Sequence, residues 1–157
     1  MTTSRPGIVW YRDDLRISDH PALQAASNSH ASVVCIYVLD DRAPGLRPLG
    51  GAARWWLAQS LRALQGSLQK RGASLVLRKG SAPEVLAALA RELDAGCLYW
   101  NEIAQSPHEA VERAVGTQRD GCLLHDAGME QAHLPPVRRV LLAAHQAVGD
   151  AAARELL

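Results

Sequence analysis

Five short apolar runs recur along this chain, and stretches of helical character separate them. Each run is apolar at consecutive positions and rich in branched side chains, as is typical of strands buried on both faces of a parallel sheet. The runs occupy residues 7–11, 32–39, 74–78, 97–100 and 121–125. Their alternation with helices predicts an α/β fold, a three-layer sandwich doubly wound around a five-stranded parallel sheet. The expected strand order is 3-2-1-4-5, as in Rossmann-like and flavodoxin-like folds.

Local signals indicate where the helices begin. Asp19 followed by Pro21 predicts the start of the first helix, with Asp19 as its cap. Leucines at helical spacing predict a long second helix over residues 52–71. These leucines are Leu57, Leu61, Leu64 and Leu68. Ser81 and Glu84 have the spacing of a capping box at the start of the third helix.

Composition narrows the functional class. The 157 residues carry a net charge of +1, and the arginines are dispersed and balanced by acids, which argues against nucleic-acid binding through bulk charge. Three cysteines without CxxC spacing and scattered histidines favour free thiols over a disulfide framework or a zinc site. Neither GxGxxG nor GxxxxGK[ST] occurs in the sequence. With no secretory signal and no apolar run of about 20 residues, the expectation is a soluble cytoplasmic protein.

The predicted topology also locates a binding site. Ligands of doubly wound sheets bind beyond the carboxyl ends of the strands. The loops expected there are 12–18, 40–54, 79–81 and 101–107. Residues 12–19 hold two arginines and three aspartates. This cluster has two interpretations: a salt-bridged loop that caps the next helix, or a contact for an anion or a second domain.

Two adjacent tryptophans lie in the predicted second helix. We expect one of Trp55 and Trp56 to face the core and the other to shield the helix surface. This structural role is favoured over an electron relay.

The segment IVWYRDDLRISDHPAL, from Ile8 to Leu23, resembles the opening signature of the DNA photolyase/cryptochrome family. Further segments resemble that family in the same order and with matching spacing. They are residues 38–40, 54–68, 72–80 and 99–101. The resemblance extends over residues 8–128.

This resemblance implies a molecule of two parts. An N-terminal α/β domain holds an antenna chromophore, which is a folate, a deazaflavin or a flavin depending on the member. A larger helical domain holds FAD and the damaged DNA, and excited reduced FAD donates an electron to a pyrimidine dimer.

The resemblance also implies a set of cofactor-binding residues. Asp40 and Arg54 match an Asp and an Arg that hold the antenna in members with a deazaflavin. Asn101 matches the exit of the fourth strand, and Glu102 stands in for an acidic residue of the family near that exit. A mutual salt bridge between Asp40 and Arg54 is the alternative. No catalytic residue and no metal ligand are predicted.

These observations lead to an expected domain plan and function. Residues 1–128 should form the α/β domain and residues 129–157 a helical tail, without an FAD-binding domain. The chain should be the antenna domain of a deoxyribodipyrimidine photolyase, as a fragment or truncated product that is inactive by itself. The alternative is a free-standing nucleotide-binding or small-ligand-binding module, or a vestigial interaction protein.

The expected partners follow from the same plan. They are an antenna chromophore, a separate FAD-binding helical domain, and a second copy of the chain through an exposed apolar face. Direct binding to DNA and to membranes is not expected.

Overall fold

A computed structural model describes residues 3–41, 45, 47–101, 111, 113–114 and 124–126. Strands and helices alternate along the chain as far as the fourth strand. The elements are β1 (Gly7–Tyr11), α1 (Pro21–Ser29), β2 (Val33–Leu39), α2 (Gly51–Gln69), β3 (Leu75–Lys79), α3 (Ala82–Glu92), β4 (Cys97–Trp100) and β5 (Leu124–Asp126). The predicted helical tail lies outside the described residues.

All strand pairs are parallel, and the five strands lie in the order β3-β2-β1-β4-β5. β1 is central, with Gly7 in register with Val33 of β2 and with Cys97 of β4. This strand order agrees with the predicted 3-2-1-4-5, and β5 at the β4 edge is shorter than predicted. In the described part of the chain only the three residues of β5 pair there, where a run over 121–125 was predicted. Strand boundaries are weakly specified at an edge, because an edge strand has a partner on one side only.

Helices cover both faces of the sheet, which makes the three layers. Successive residues of a strand point to opposite faces, and β1 accordingly contributes to two separate cores. Val9 and Tyr11 pack with α1 and α2, whereas Ile8 and Trp10 pack with α3. The fully apolar strand pattern of the sequence thus corresponds to a sheet buried on both sides.

The cap of α1 differs from the prediction. Asp19 lies just before the helix with a φ of 52°, and the N-cap is His20, whose Nδ1 accepts a hydrogen bond from the Leu23 backbone N–H at 3.1 Å. His20 is buried against the ring of Tyr11, with ring centroids 4.7 Å apart. Burial lowers the pKa of His20 below its usual value, so the imidazole is neutral, as its acceptor role requires.

A second buried histidine, His30, connects residues near the amino-terminal edge of the sheet through hydrogen bonds. Its Nδ1 lies 2.8 Å from the carbonyl oxygen of Arg5, and its Nε2 lies 3.0 Å from the hydroxyl of Tyr99. Two glycines pack directly on the ring. A Cβ atom would lie 2.7 Å from His30 Cδ2 at Gly7 and 2.9 Å from Cε1 at Gly96. Both positions therefore require a residue without a side chain.

Trp55 and Trp56 are both on the surface, and the expectation that one of them faces the core is wrong. Their exposed fractions are 62% and 67%, and their rings stack with centroids 5.6 Å apart. The buried residues of α2 begin only at Ala58, and residues 51–56 are all exposed. The first turns of α2 therefore have no core to face.

No helix within the described residues is long and apolar enough to span a membrane.

Candidate functional site

A crevice of about 240 Å³ lies at the carboxyl ends of β1 and β2. The loop after β2 and the first residues of α2 and α3 form its walls. We call this site the strand-end crevice. It occupies the edge of the sheet at which the topology predicts ligand binding.

The lining of the strand-end crevice combines an apolar floor with a charged rim. The uncharged lining residues are Trp10, Tyr11, Tyr37, Val38, Leu39, Pro48, Leu49, Ala82 and Val111. The charged ones are Arg12, Asp13, Asp40, Asp41, Arg47 and Arg54. Three guanidinium groups and three carboxylates at one apolar cavity suit a ligand with a flat apolar body and polar groups at its edge.

Asp40, at the end of β2, lines the crevice and also makes a hydrogen bond that holds two elements of the fold together. Its Oδ2 accepts a hydrogen bond from the backbone N–H of Ala82, the first residue of α3, at 2.9 Å. Ser81 is the N-cap by position but makes no side-chain capping bond, so the capping-box prediction is wrong for this helix. A carboxylate offers about four acceptor sites, and Asp40 is therefore able to hold α3 and a ligand together.

Arg54 lies at the rim of the same crevice, one turn into α2. Its Nε donates a hydrogen bond to the carbonyl oxygen of Leu49 at 3.1 Å. This bond joins the guanidinium to the loop that precedes the helix. The structure thus places Asp40 and Arg54 in the lining of one cavity.

Arg12 and Tyr37 are crevice residues that the sequence reasoning did not single out. The guanidinium carbon of Arg12 lies 4.6 Å from the ring centroid of Trp10, a cation–π contact that holds the charge beside the apolar floor. Burial, and then the carboxylate of Asp13, raise the pKa of Tyr37 to about 12. The Tyr37 hydroxyl is therefore protonated at neutral pH. The position of Arg12 in the sequence could have identified it as a crevice residue, because it directly follows the last residue of β1.

Asn101, at the end of β4, serves a different purpose. Its Oδ1 accepts a hydrogen bond from the backbone N–H of Ala22 in α1 at 3.1 Å, and its Nδ2 donates to Asp14 at 3.2 Å. It thus caps α1 from across the sheet, and it does not belong to the described lining of the crevice. The other predicted residue of this loop, Glu102, lies outside the described residues.

Different residues of the charged loop after β1 correspond to its two interpretations. Arg16 pairs with Asp14 at 2.9 Å and with Asp19 at 3.6 Å, which is the salt-bridged loop. Arg12 and Asp13 instead line the crevice. One segment therefore supports α1 and also contributes charge to the site.

Comparison with known proteins places this chain in a protein family. The DNA photolyase family matches residues 7–130. A deoxyribodipyrimidine photo-lyase of Agrobacterium fabrum is 42% identical over 110 residues, which are 70% of this chain and 22% of that protein. A cryptochrome DASH of Gloeobacter violaceus is 37% identical over 111 residues, covering 68% of this chain and 22% of that protein.

A solved structure agrees with the sequence comparison. The crystal structure of a bacterial class III photolyase from Agrobacterium tumefaciens matches with a TM-score of 0.71 and 37% identity, over 79% of this chain and 26% of that one. The chain belongs to the DNA photolyase family, which includes photolyases and cryptochromes. It spans 22% of the length of the two curated relatives named above.

Proposed function

We propose that this chain binds an antenna chromophore in the strand-end crevice and acts as the light-harvesting α/β part of a photolyase or cryptochrome. The observation that carries this proposal is the meeting of Asp40 and Arg54 in one apolar cavity. The same two positions match chromophore-binding residues in family members with a deazaflavin.

The donor set of the crevice suits a planar heteroaromatic ring. The Asp40 carboxylate accepts from ring N–H groups, while Arg12 and Arg54 donate to ring carbonyls or an anionic edge. Ligand pockets usually enclose about 300–1,000 Å³. A cavity of about 240 Å³ fits a ring system whose side chain extends into solvent or toward another domain.

When bound, such a chromophore absorbs near-ultraviolet or visible light and passes the excitation on. The residues of this chain contribute placement. Trp10 and Leu39 form apolar surface against the ring, and the arginines orient it. The family's repair chemistry belongs to FAD and a helical domain, and the α/β part described above would contribute excitation energy to it.

A nucleotide-binding module is the second candidate, because three arginines also suit a phosphate. One observation disfavours it. The N-terminus of α3 opens on the crevice, but Asp40 already accepts the hydrogen bond of its first N–H group. A helix terminus that a carboxylate already satisfies is a poor site for a second anion.

Titration of the purified full chain with a folate, a 5-deazaflavin, FMN and ATP tests the proposal. We expect one of the three chromophores to bind and to acquire induced circular dichroism in its long-wavelength band. Asp40→Asn and Arg54→Gln should weaken that binding about tenfold each, as loss of a charged hydrogen bond does. Arg91→Gln, on the exposed side of α3, is the matched control. Binding of ATP alone favours the nucleotide module, and binding of none of the four contradicts both candidates.

A further inference from the structure

The segment from residue 42 to residue 83 contains no aspartate or glutamate but eight of the 17 lysines and arginines of the chain. This segment is strongly cationic, and the net charge of the whole chain is only +1 because all the acidic residues lie outside the segment. All of α2 lies in this stretch. Two of these basic residues, Arg54 and Arg62, lie in α2, and Lys70 is its C-cap.

One stripe of α2 points away from the sheet and combines aromatic with cationic side chains. Trp55, Arg62 and Lys70 follow one another at helical spacing on the side opposite the buried leucines, and all three are exposed. Trp56 stacks on Trp55. We call Trp55, Trp56, Arg62 and Lys70 the α2 outer face. It extends about 22 Å along the helix at 1.5 Å per residue.

The cations of this face are not neutralised locally. Within the described residues, the ion pairs involve other arginines and Lys79, and neither Arg62 nor Lys70 pairs with a carboxylate. The described residues leave only three large apolar side chains exposed, and these are Trp55, Trp56 and the nearby Leu49. Aromatic and positive groups thus occur together where the acids are absent.

We propose that the α2 outer face binds single-stranded nucleic acid. Arg62 and Lys70 would pair with backbone phosphates, and the stacked rings of Trp55 and Trp56 would offer their outer surfaces to unpaired bases. A cationic track beside stacking aromatic rings is how sequence-independent binding of single strands is built. The proposal is independent of what fills the strand-end crevice, and it runs against the expectation from whole-chain charge that the chain does not bind DNA directly.

The observations favour a nucleic acid over a protein partner. The centres of protein interfaces include Trp and Arg but are depleted in Lys, and they form contiguous apolar patches. Here the apolar part is small, and the rest of the outer face is cationic and polar over about 22 Å. A duplex hides its base faces, whereas the exposed ring pair requires bases that are unstacked.

Fluorescence anisotropy of a labelled oligo(dT) of about 12 nucleotides tests this assignment with the full chain. We expect binding that weakens about sevenfold between 50 and 200 mM salt, as for about two phosphate contacts of a single strand. Trp55→Leu and Trp56→Leu keep apolar area but remove the stacking ring, and each should weaken binding about tenfold. Arg62→Gln and Lys70→Gln should each make the logarithmic salt slope shallower by about 0.7.

Matched controls distinguish binding at the α2 outer face from a general attraction between the chain and a polyanion. Arg91→Gln removes the same charge from α3 and should leave binding unchanged. The proposal is overturned if the oligonucleotide does not bind at 50 mM salt. It is also overturned if the Trp→Leu variants bind as well as the parent chain, since the rings would then take no part. A dimer in light scattering that Trp55→Leu abolishes, without oligonucleotide binding, would instead make this face a protein interface.

Discussion

Asp40 Oδ2 accepts a hydrogen bond from the backbone N–H of Ala82 at 2.9 Å, and this bond joins the end of β2 to the start of α3 across 42 residues of chain. The same carboxylate lines the strand-end crevice. One residue thus closes the helix beside the cavity and supplies charge to the cavity itself. Its two roles are separable by substitution.

Asp40→Asn keeps a side-chain oxygen for Ala82, whereas Asp40→Ala removes it. We expect the Ala variant to lose about 1 kcal/mol of unfolding free energy, the usual effect of deleting a helix cap, and the Asn variant to lose much less. Chemical denaturation followed by far-ultraviolet circular dichroism measures both. Equal losses would mean that the hydrogen bond to α3 contributes nothing.

Arg54 differs from Asp40 because its side chain is exposed and, among the residues that the structure describes, only its Nε makes a hydrogen bond. Arg54→Lys keeps the charge but removes the planar guanidinium and its paired donors. We expect the unfolding free energy to change by less than about 0.5 kcal/mol and chromophore affinity to fall nearly as far as in Arg54→Gln. If Arg54→Lys bound the chromophore as tightly as the parent chain, the positive charge alone would be sufficient for binding and the planar guanidinium would not be required.

His20 should make the stability of the protein depend on pH. Burial lowers its pKa in the folded state, although the nearby Asp14 opposes this shift. The unfolded chain therefore takes up a proton near the ordinary pKa of 6.5 while the folded chain resists it, and stability falls as the pH drops through that value. Unfolding midpoints at neutral and mildly acidic pH measure the effect.

The control for His20 is His20→Asn, which retains a capping oxygen for Leu23 but does not titrate. The variant should show a smaller loss of stability on acidification than the parent chain. An identical loss would assign the pH dependence to other groups.

Gly7 packs on the ring of His30, and this contact should make the position intolerant of a side chain. In Gly7→Ala the new Cβ would lie 2.7 Å from Cδ2 of a ring whose two nitrogens are each bonded. We expect a loss of about 1–3 kcal/mol in unfolding free energy. Gly66→Ala is the opposite control, because nothing lies within 4 Å of its Cβ position in α2, and it should stabilise by about 0.5–1 kcal/mol. A neutral Gly7→Ala would show that the His30 ring moves aside freely.

The local pattern of the sequence determined the elements and their layering. β1 covers the predicted residues 7–11, and α2, at Gly51–Gln69, lies close to the predicted range 52–71. Leu61, Leu64 and Leu68 are buried as their spacing indicated. Periodicity is a property of neighbouring residues, and a strand that is apolar on both sides has to be covered on both sides.

Only the tertiary structure decided which polar groups meet. Asn101 caps α1 from 79 residues away and Asp40 caps α3, although Asp19 and Ser81 were nearer in sequence. The same limit applies to Trp55 and Trp56, which are exposed because the buried part of α2 begins only at Ala58. Hydrogen-bond partners and burial are set by distances across the sheet, which a linear pattern does not contain. The sequence by itself therefore predicted a crevice at the strand ends, and the folded chain decided that Asp40, Arg54 and Arg12 line it while Asn101 lies outside its described lining.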